Sequence, residues 1–222
     1  MSSYYGDILQ EIYRRLFRHF GPQHWWPAES PFEVCVGAIL TQNTNWRNVE
    51  RAIENLKARN LLSPQALYEL PEDLLAELIR PAGYFRVKAR RLGEFVRWLV
   101  ERYGGNLSAL EEVDTGELRR ELLTLRGIGP ETADSILLYA LGRPVFVVDA
   151  YTRRILLRHG LVTEEADYHE IQELFMENLP ADPDLFNEYH ALLVACGKHL
   201  CRSRRPRCGD CPLQEMGSDP IF

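Results

Sequence analysis

Apolar residues recur three and four positions apart along nearly the whole chain, the mark of amphipathic helices. Ile8, Ile12, Leu16 and Phe17 define an N-terminal helix. Ser30-Pro31-Phe32-Glu33 reads as a capping box with proline at the first helical position, opening an apolar helix through Leu40. Residues 45–59 carry Val49, Ile53 and Leu56 on one stripe. Ser63-Pro64 and Leu70-Pro71 start two short helices, and Gly83 precedes a long basic helix ending near Gly104-Gly105. Asp114 caps a helix to Leu125. Next comes a tight hairpin, Leu125-Arg126-Gly127-Ile128-Gly129, and Pro130 starts a helix ending near Gly142. Val145-Phe146-Val147-Val148 is rich in β-branched residues but too short to demand a sheet. Asp149 can cap a helix over 150–159, and two more helices follow near 167–179 and 183–199. The pattern predicts an all-α fold.

Length and composition narrow the class. The 222 residues are 45% hydrophobic, enough for one good core or two small ones. No run of about 18 apolar residues is present to span a membrane. The polar start, MSSYYGDILQEIYRRLF, lacks the apolar centre of a signal peptide. An intracellular, soluble protein is expected. The formal charge of −6 speaks against a nucleic-acid partner only if charge is evenly spread, and it is not. Arg80, Arg86, Lys88, Arg90, Arg91 and Arg97 form one basic group; Lys198, Arg202, Arg204, Arg205 and Arg207 form another. Solvated helix faces are the alternative for each group.

Residues 118–139, LRRELLTLRGIGPETADSILLY, decide the class. They read as helix, Gly-x-Gly hairpin, helix. Glycine is expected twice so that bare N–H groups of Gly127 and Gly129 can approach a phosphate at unusual dihedrals. The following helix N-terminus adds partial positive charge. Such an anchor grips a DNA backbone without reading its sequence. A lone Gly-x-Gly is usually a turn; flanked by two apolar helices and followed by Val147-Val148-Asp149, it carries weight.

With GIGPETAD and VFVVDAYTRRIL, the chain resembles the helix-hairpin-helix, Gly-Pro-Asp superfamily of base-excision DNA glycosylases, the endonuclease III relatives. The resemblance spans almost the whole chain. Trp25-Trp26-Pro27, LTQNT and GIGPETADSILLY are most similar to the bacterial 3-methyladenine DNA glycosylase III group. It implies a six-helix domain over 31–141 and a second domain made of 1–30 and 142–222, with a catalytic cleft between them. It also implies duplex DNA as partner, action as a monomer, and a cytoplasmic, nucleoid-associated location.

The resemblance assigns roles residue by residue. Asp149 stands where the family places its catalytic carboxylate, which stabilises the oxocarbenium-like sugar or orients water; a plain N-cap is the other reading. Where bifunctional relatives carry a nucleophilic lysine, this chain has Glu131, which cannot form an imine. Trp25, Trp26, Pro27, Trp46 and Glu131 are candidates for the pocket of an extruded, cationic base, the indoles by cation–π attraction and Glu131 by its charge; the alternatives are that Trp25 and Trp26 staple the N-terminal helix to the core and that Glu131 is a first-turn helix residue favoured by the dipole. Gln42 and Asn43 lie in the implied DNA-penetrating loop, with Gln42 filling the space of the lost base. Tyr84 lies in a second loop, at a wedge position. Arg126, Gly127, Gly129, Lys88 and Lys198 are expected against DNA.

Four of the five cysteines crowd the C-terminus. Cys201, Cys208 and Cys211 repeat the first three ligand positions of the family's [4Fe–4S] loop; the fourth, position 217, is glycine here. Cys196 could substitute, although one helix does not point it the same way as Cys201. Zinc and a metal-free tail are the alternatives.

Overall fold

The computed structural model describes residues 4–216. Eleven α-helices are joined by short turns, and no strand occurs among the described residues. In chain order they are α1 (Tyr4–Phe20), α2 (Pro31–Leu40), α3 (Trp46–Lys57), α4 (Pro64–Glu69), α5 (Glu72–Leu78), α6 (Phe85–Tyr103), α7 (Thr115–Thr124), α8 (Pro130–Ser135), α9 (Ala150–Arg158), α10 (Tyr168–Asn178) and α11 (Pro183–His199). Their starts follow the polar caps in the sequence. The side chains of Ser30, Asn45, Ser63, Asp114, Asp149, Asp167 and Asp182 each accept a first-turn backbone N–H. The box expected at Ser30 is only half formed. Ser30 Oγ accepts from Glu33 N at 3.2 Å, but the buried Glu33 carboxylate takes the N–H of Glu29 and pairs with Lys57 at 2.9 Å. Asp167 and Glu170 make the complete box instead.

The chain divides into two compact units. One takes Met1–Trp25 and Pro144–Phe222, the other Trp26–Arg143. The sequence reading set the boundaries at 30/31 and 141/142. Trp26 lies on the far side of the first boundary because its indole packs on Gly37 of α2 and against the rings of Trp46 and Tyr139.

In the first unit, α11 packs on α9 and α1, and α10 on α1. Phe146 stacks on Phe175 at 3.8 Å between centroids, and the Tyr189 hydroxyl donates to the Leu9 carbonyl at 2.7 Å. The buried segment 145–148 stays extended without a strand partner because side chains serve its backbone. Gln172 Nε2 donates to the Phe146 carbonyl at 2.6 Å, and Val148 N donates to the Tyr168 hydroxyl.

In the second unit, α2 lies in the middle, apolar on every side and buried from Phe32 to Leu40. α3, α6 and the α8 segment pack against it. α8 continues into one π-turn, Ile136–Ala140. Arg119 on α7 grips the fully buried Asp134 on α8 with two parallel bonds of 2.6 and 3.0 Å. That bidentate pair clamps the two helices flanking the hairpin.

Candidate active site and DNA-contacting surface

The carboxylate centre belongs to the first unit. Asp149 ends the extended segment and caps α9, with Oδ1 accepting from Thr152 N at 2.7 Å. Its Oδ2 lies 3.7 Å from His190 Nε2 of α11. The side chains of Asp149 and His190 are 13% and 7% exposed. Burial pushes the Asp149 carboxyl up, but the His190 imidazole and the bonds from Thr152 outweigh it and hold the group below its usual range. The Trp25 ring meets His190 edge-on at 5.9 Å. An ionised carboxylate, an imidazole and an indole thus share a largely dry corner. His190 is a participant that sequence reasoning missed. Its only signal was a polar ring on the apolar face of α11.

The second unit carries the hairpin and two loops. Gly127 has φ +87, and a Cβ there would stand 2.4 Å from Arg91 Nε. Only glycine suits it. Gly129 differs from expectation. Its φ of −96 is ordinary extended backbone, and a Cβ would meet nothing within 4 Å. The chain's own conformation therefore does not require glycine at this position. Arg126 and Gly129 are exposed. Glu131, in the first turn of α8, is exposed as well.

Gln42 is committed to the hairpin. Its Nε2 donates to the Gly127 carbonyl and to Thr132 Oγ1, each at 3.0 Å, and its Oε1 accepts from Arg91. Arg91 stood out in the sequence only as one of a basic group, and Thr132 only as part of GIGPETAD; neither pattern pointed to a contact with Gln42. Asn43, with φ 54, and Tyr84, with φ 47, are left-handed non-glycine residues, and both are exposed. Tyr84 is 74% exposed. Strain of this kind gathers at working sites.

Lys88 needs correction. It does not face DNA; it is 2% exposed, and its ammonium donates to the carbonyls of Leu40 at 2.8 Å and Ala82 at 2.7 Å. The first turn of α6 presents that position to the interior, and nearby basic residues hid this in the sequence. Burial, then the Arg91 charge, lowers it to about 8.

The tryptophans separate. Trp25 sits beside His190, whereas Trp26, Trp46 and Tyr139 form a cluster of their own, with centroids 5.2 and 5.1 Å from Trp26. Pro27 is exposed. Tyr139 was not anticipated.

The thiol of Cys196, on α11, lies close to that of Cys211 in the C-terminal tail, and Cys201 lies near enough to act on Cys196 by charge. The Cys196 thiol lowers Cys211 to about 6. Arg158 donates to Cys201 Sγ at 3.2 Å, and Arg154 to the Cys201 carbonyl at 2.8 Å. Cys208 is exposed on a 3-10 turn, Cys208–Asp210. Among the described residues no three such side chains converge closely enough to hold an ion. Gly217 lies outside the described residues. Lys198, Arg202, Arg204, Arg205 and Arg207 are exposed around the tail.

An all-α chain with a glycine hairpin clamped between two helices and a half-buried, ionised aspartate after it has the parts of a DNA-processing enzyme. Comparison with known proteins gives the class: residues 36–181 match the HhH-GPD superfamily of base excision DNA repair proteins. The chain belongs to that family and is a DNA glycosylase. A Methanocaldococcus jannaschii protein, whose name assigns it provisionally to the DNA repair glycosylases, is 51% identical over 95% of this chain and 96% of its own. Endonuclease III of Thermotoga maritima is 31% identical over 93% and 91%. The H. pylori 3-methyladenine DNA glycosylase bound to 1,N6-ethenoadenine superposes with a TM-score of 0.75 at 29% identity, covering 87% of this chain and 97% of that one.

Proposed function

We propose that this DNA glycosylase is monofunctional and, acting as a monomer on duplex DNA, hydrolyses the N-glycosidic bond of alkylated purines of the 3-methyladenine type. The carrying observation is the Asp149 carboxylate, held ionised in a nearly dry corner beside His190 and Trp25. A cationic N-alkylated base already has a weak bond to its sugar. As the C1′–N bond breaks, its electron pair goes to the base, which leaves neutral, and positive charge develops on the sugar. An ionised carboxylate opposes that charge where water screens it little. Water then attacks C1′ and gives up a proton. A carboxyl held below its usual range suits a charge stabiliser better than a general base, whose best value lies near the working pH.

Trp25 offers an aromatic face next to the carboxylate, which favours a cationic base. Trp26, Pro27 and Trp46 are further candidates for contacts to DNA. Glu131 supplies no amine, so no covalent sugar adduct and no strand cleavage follow. The likeness to the 3-methyladenine glycosylase supports the lesion class. Arg126, Gly127 and Gly129 would meet phosphates, and Lys198 with the tail arginines would add basic contacts. Gln42, Asn43 and Tyr84 would enter the duplex.

The tail is proposed to bind a [4Fe–4S] cluster, with zinc as the alternative. Four thiols are present once Cys196 stands in for position 217, and the Cys196–Cys211 contact already joins two of them. Binding would draw the remaining thiols together and so brace the arginine-rich loop.

Mass spectrometry of the bases released from methylated duplex DNA tests the lesion class. Free 3-methyladenine is the expected product; release of uracil or oxidised pyrimidines from matching duplexes, without 3-methyladenine, would overturn it.

A further inference from the structure

Lysine seldom goes inside a protein without a carboxylate partner, because stripping an ammonium of water is costly. Lys88 is fully buried on α6, and the structure gives it two main-chain carbonyls. Their positions are informative. Leu40 is the last residue of α2, so its carbonyl is one that the helix itself leaves without a partner, at the negative end of the dipole. The loop with Gln42 and Asn43 follows directly. Ala82 ends the 3-10 turn Arg80–Ala82, and Gly83 and Tyr84, both left-handed, follow directly. One ammonium therefore ties off the two backbone segments at the points where each departs into an exposed loop. Three residues along the same helix, Arg91 holds the Gln42 side chain and lies over Gly127.

We infer that Lys88 is a positioning residue that fixes the separation of the Gln42 and Tyr84 loops, so that both enter the DNA duplex together. An apolar residue would fill the space without the cost of burying a charge. What the ammonium adds is direction: two short hydrogen bonds that set where each loop begins. The left-handed backbones of Asn43 and Tyr84 persist only if their surroundings hold them, and Lys88 supplies one shared hold. The inference rests on reading Gln42 and Tyr84 as the groups that enter the duplex.

A double-mutant cycle tests it on the full chain, with no need of base release. The probe is a duplex carrying 2-aminopurine beside a tetrahydrofuran abasic analogue, whose fluorescence rises when the base unstacks. Lys88→Met is made in the wild type and in a Gln42→Ala, Tyr84→Ala background. In the wild type the rate of unstacking should fall about tenfold, the scale of losing one hydrogen-bonded anchor. In the double-alanine background Lys88→Met should change the rate by less than about twofold, because nothing is left to position. Equal losses in both backgrounds mean that Lys88 is only part of the core, and overturn the inference alone. If Gln42→Ala, Tyr84→Ala leaves unstacking unchanged, those two residues do not probe the duplex, and both readings fall. Should Lys88→Met lose its helical circular dichroism, Lys88→Arg is taken through the same cycle. It keeps the donors on a longer stem, so it should disturb unstacking in the wild-type background and not in the other.

Discussion

Replacing Asp149 with asparagine separates its two roles. Asparagine caps a helix about as well as aspartate, so the bond to Thr152 N can remain and stability should change by less than about 0.5 kcal/mol. What disappears is the charge. Two unit charges about 4 Å apart interact by about 4 kcal/mol at an effective dielectric constant of about 20. The side chain is 13% exposed, which adds some screening, and His190 stands 3.7 Å away. A loss of about 10²- to 10³-fold in single-turnover base release follows, at about 1.4 kcal/mol per decade. Fluorescence anisotropy should show unchanged affinity for duplex DNA. Asp149→Ala is the control: it also removes the cap, about 1 kcal/mol, and should lower Tm by about 2–4 °C where asparagine does not. Base release by Asp149→Asn within threefold of the wild-type rate would reduce the residue to a helix cap and remove the basis of the proposed chemistry.

Other outcomes are equally specific. Gly127→Ala should cost about 1–3 kcal/mol in chemical denaturation, because its φ of +87 and the contact with Arg91 both exclude a Cβ; Gly129→Ala should leave stability unchanged and weaken DNA binding, and equal destabilisation by both would contradict the hairpin geometry. Lys88 titrates at about 8 when folded against an ordinary 10.5, so between those pH values the unfolded chain holds a proton that the folded chain has lost. Stability should therefore rise with pH across that window by up to about 3 kcal/mol relative to Lys88→Met, and a flat difference would refute it. Borohydride added during turnover should trap no protein–DNA adduct; a trapped band would reveal an amine nucleophile despite Glu131. Cys196→Ser should lower iron or zinc per chain after anaerobic purification, measured by elemental analysis, and undiminished content would exclude Cys196 as a ligand.

Most of the helical architecture was legible because its signals are local. Ser30-Pro31, Ser63-Pro64, Asp114, Asp149 and Asp167 are short-range caps, and each starts a helix where the pattern put it. The hairpin was legible for the same reason. At Glu33 the local motif gave way to tertiary demand, since Lys57 and Glu29 lie within reach of its carboxylate and compete for it. Basic character misled at Lys88, because a run of positive residues says nothing about which of them turns inward.

By itself, then, the sequence determined the helices, the hairpin and the place of the key aspartate, all of which depend on residues a few positions apart. Only the tertiary structure decided what surrounds them. His190 reaches Asp149, Arg91 reaches Gln42, Lys88 joins two loop origins, and Cys196 meets Cys211 across separate stretches of chain. Such partnerships arise when helix faces pack, and the choice of face is made by the whole core rather than by any local pattern.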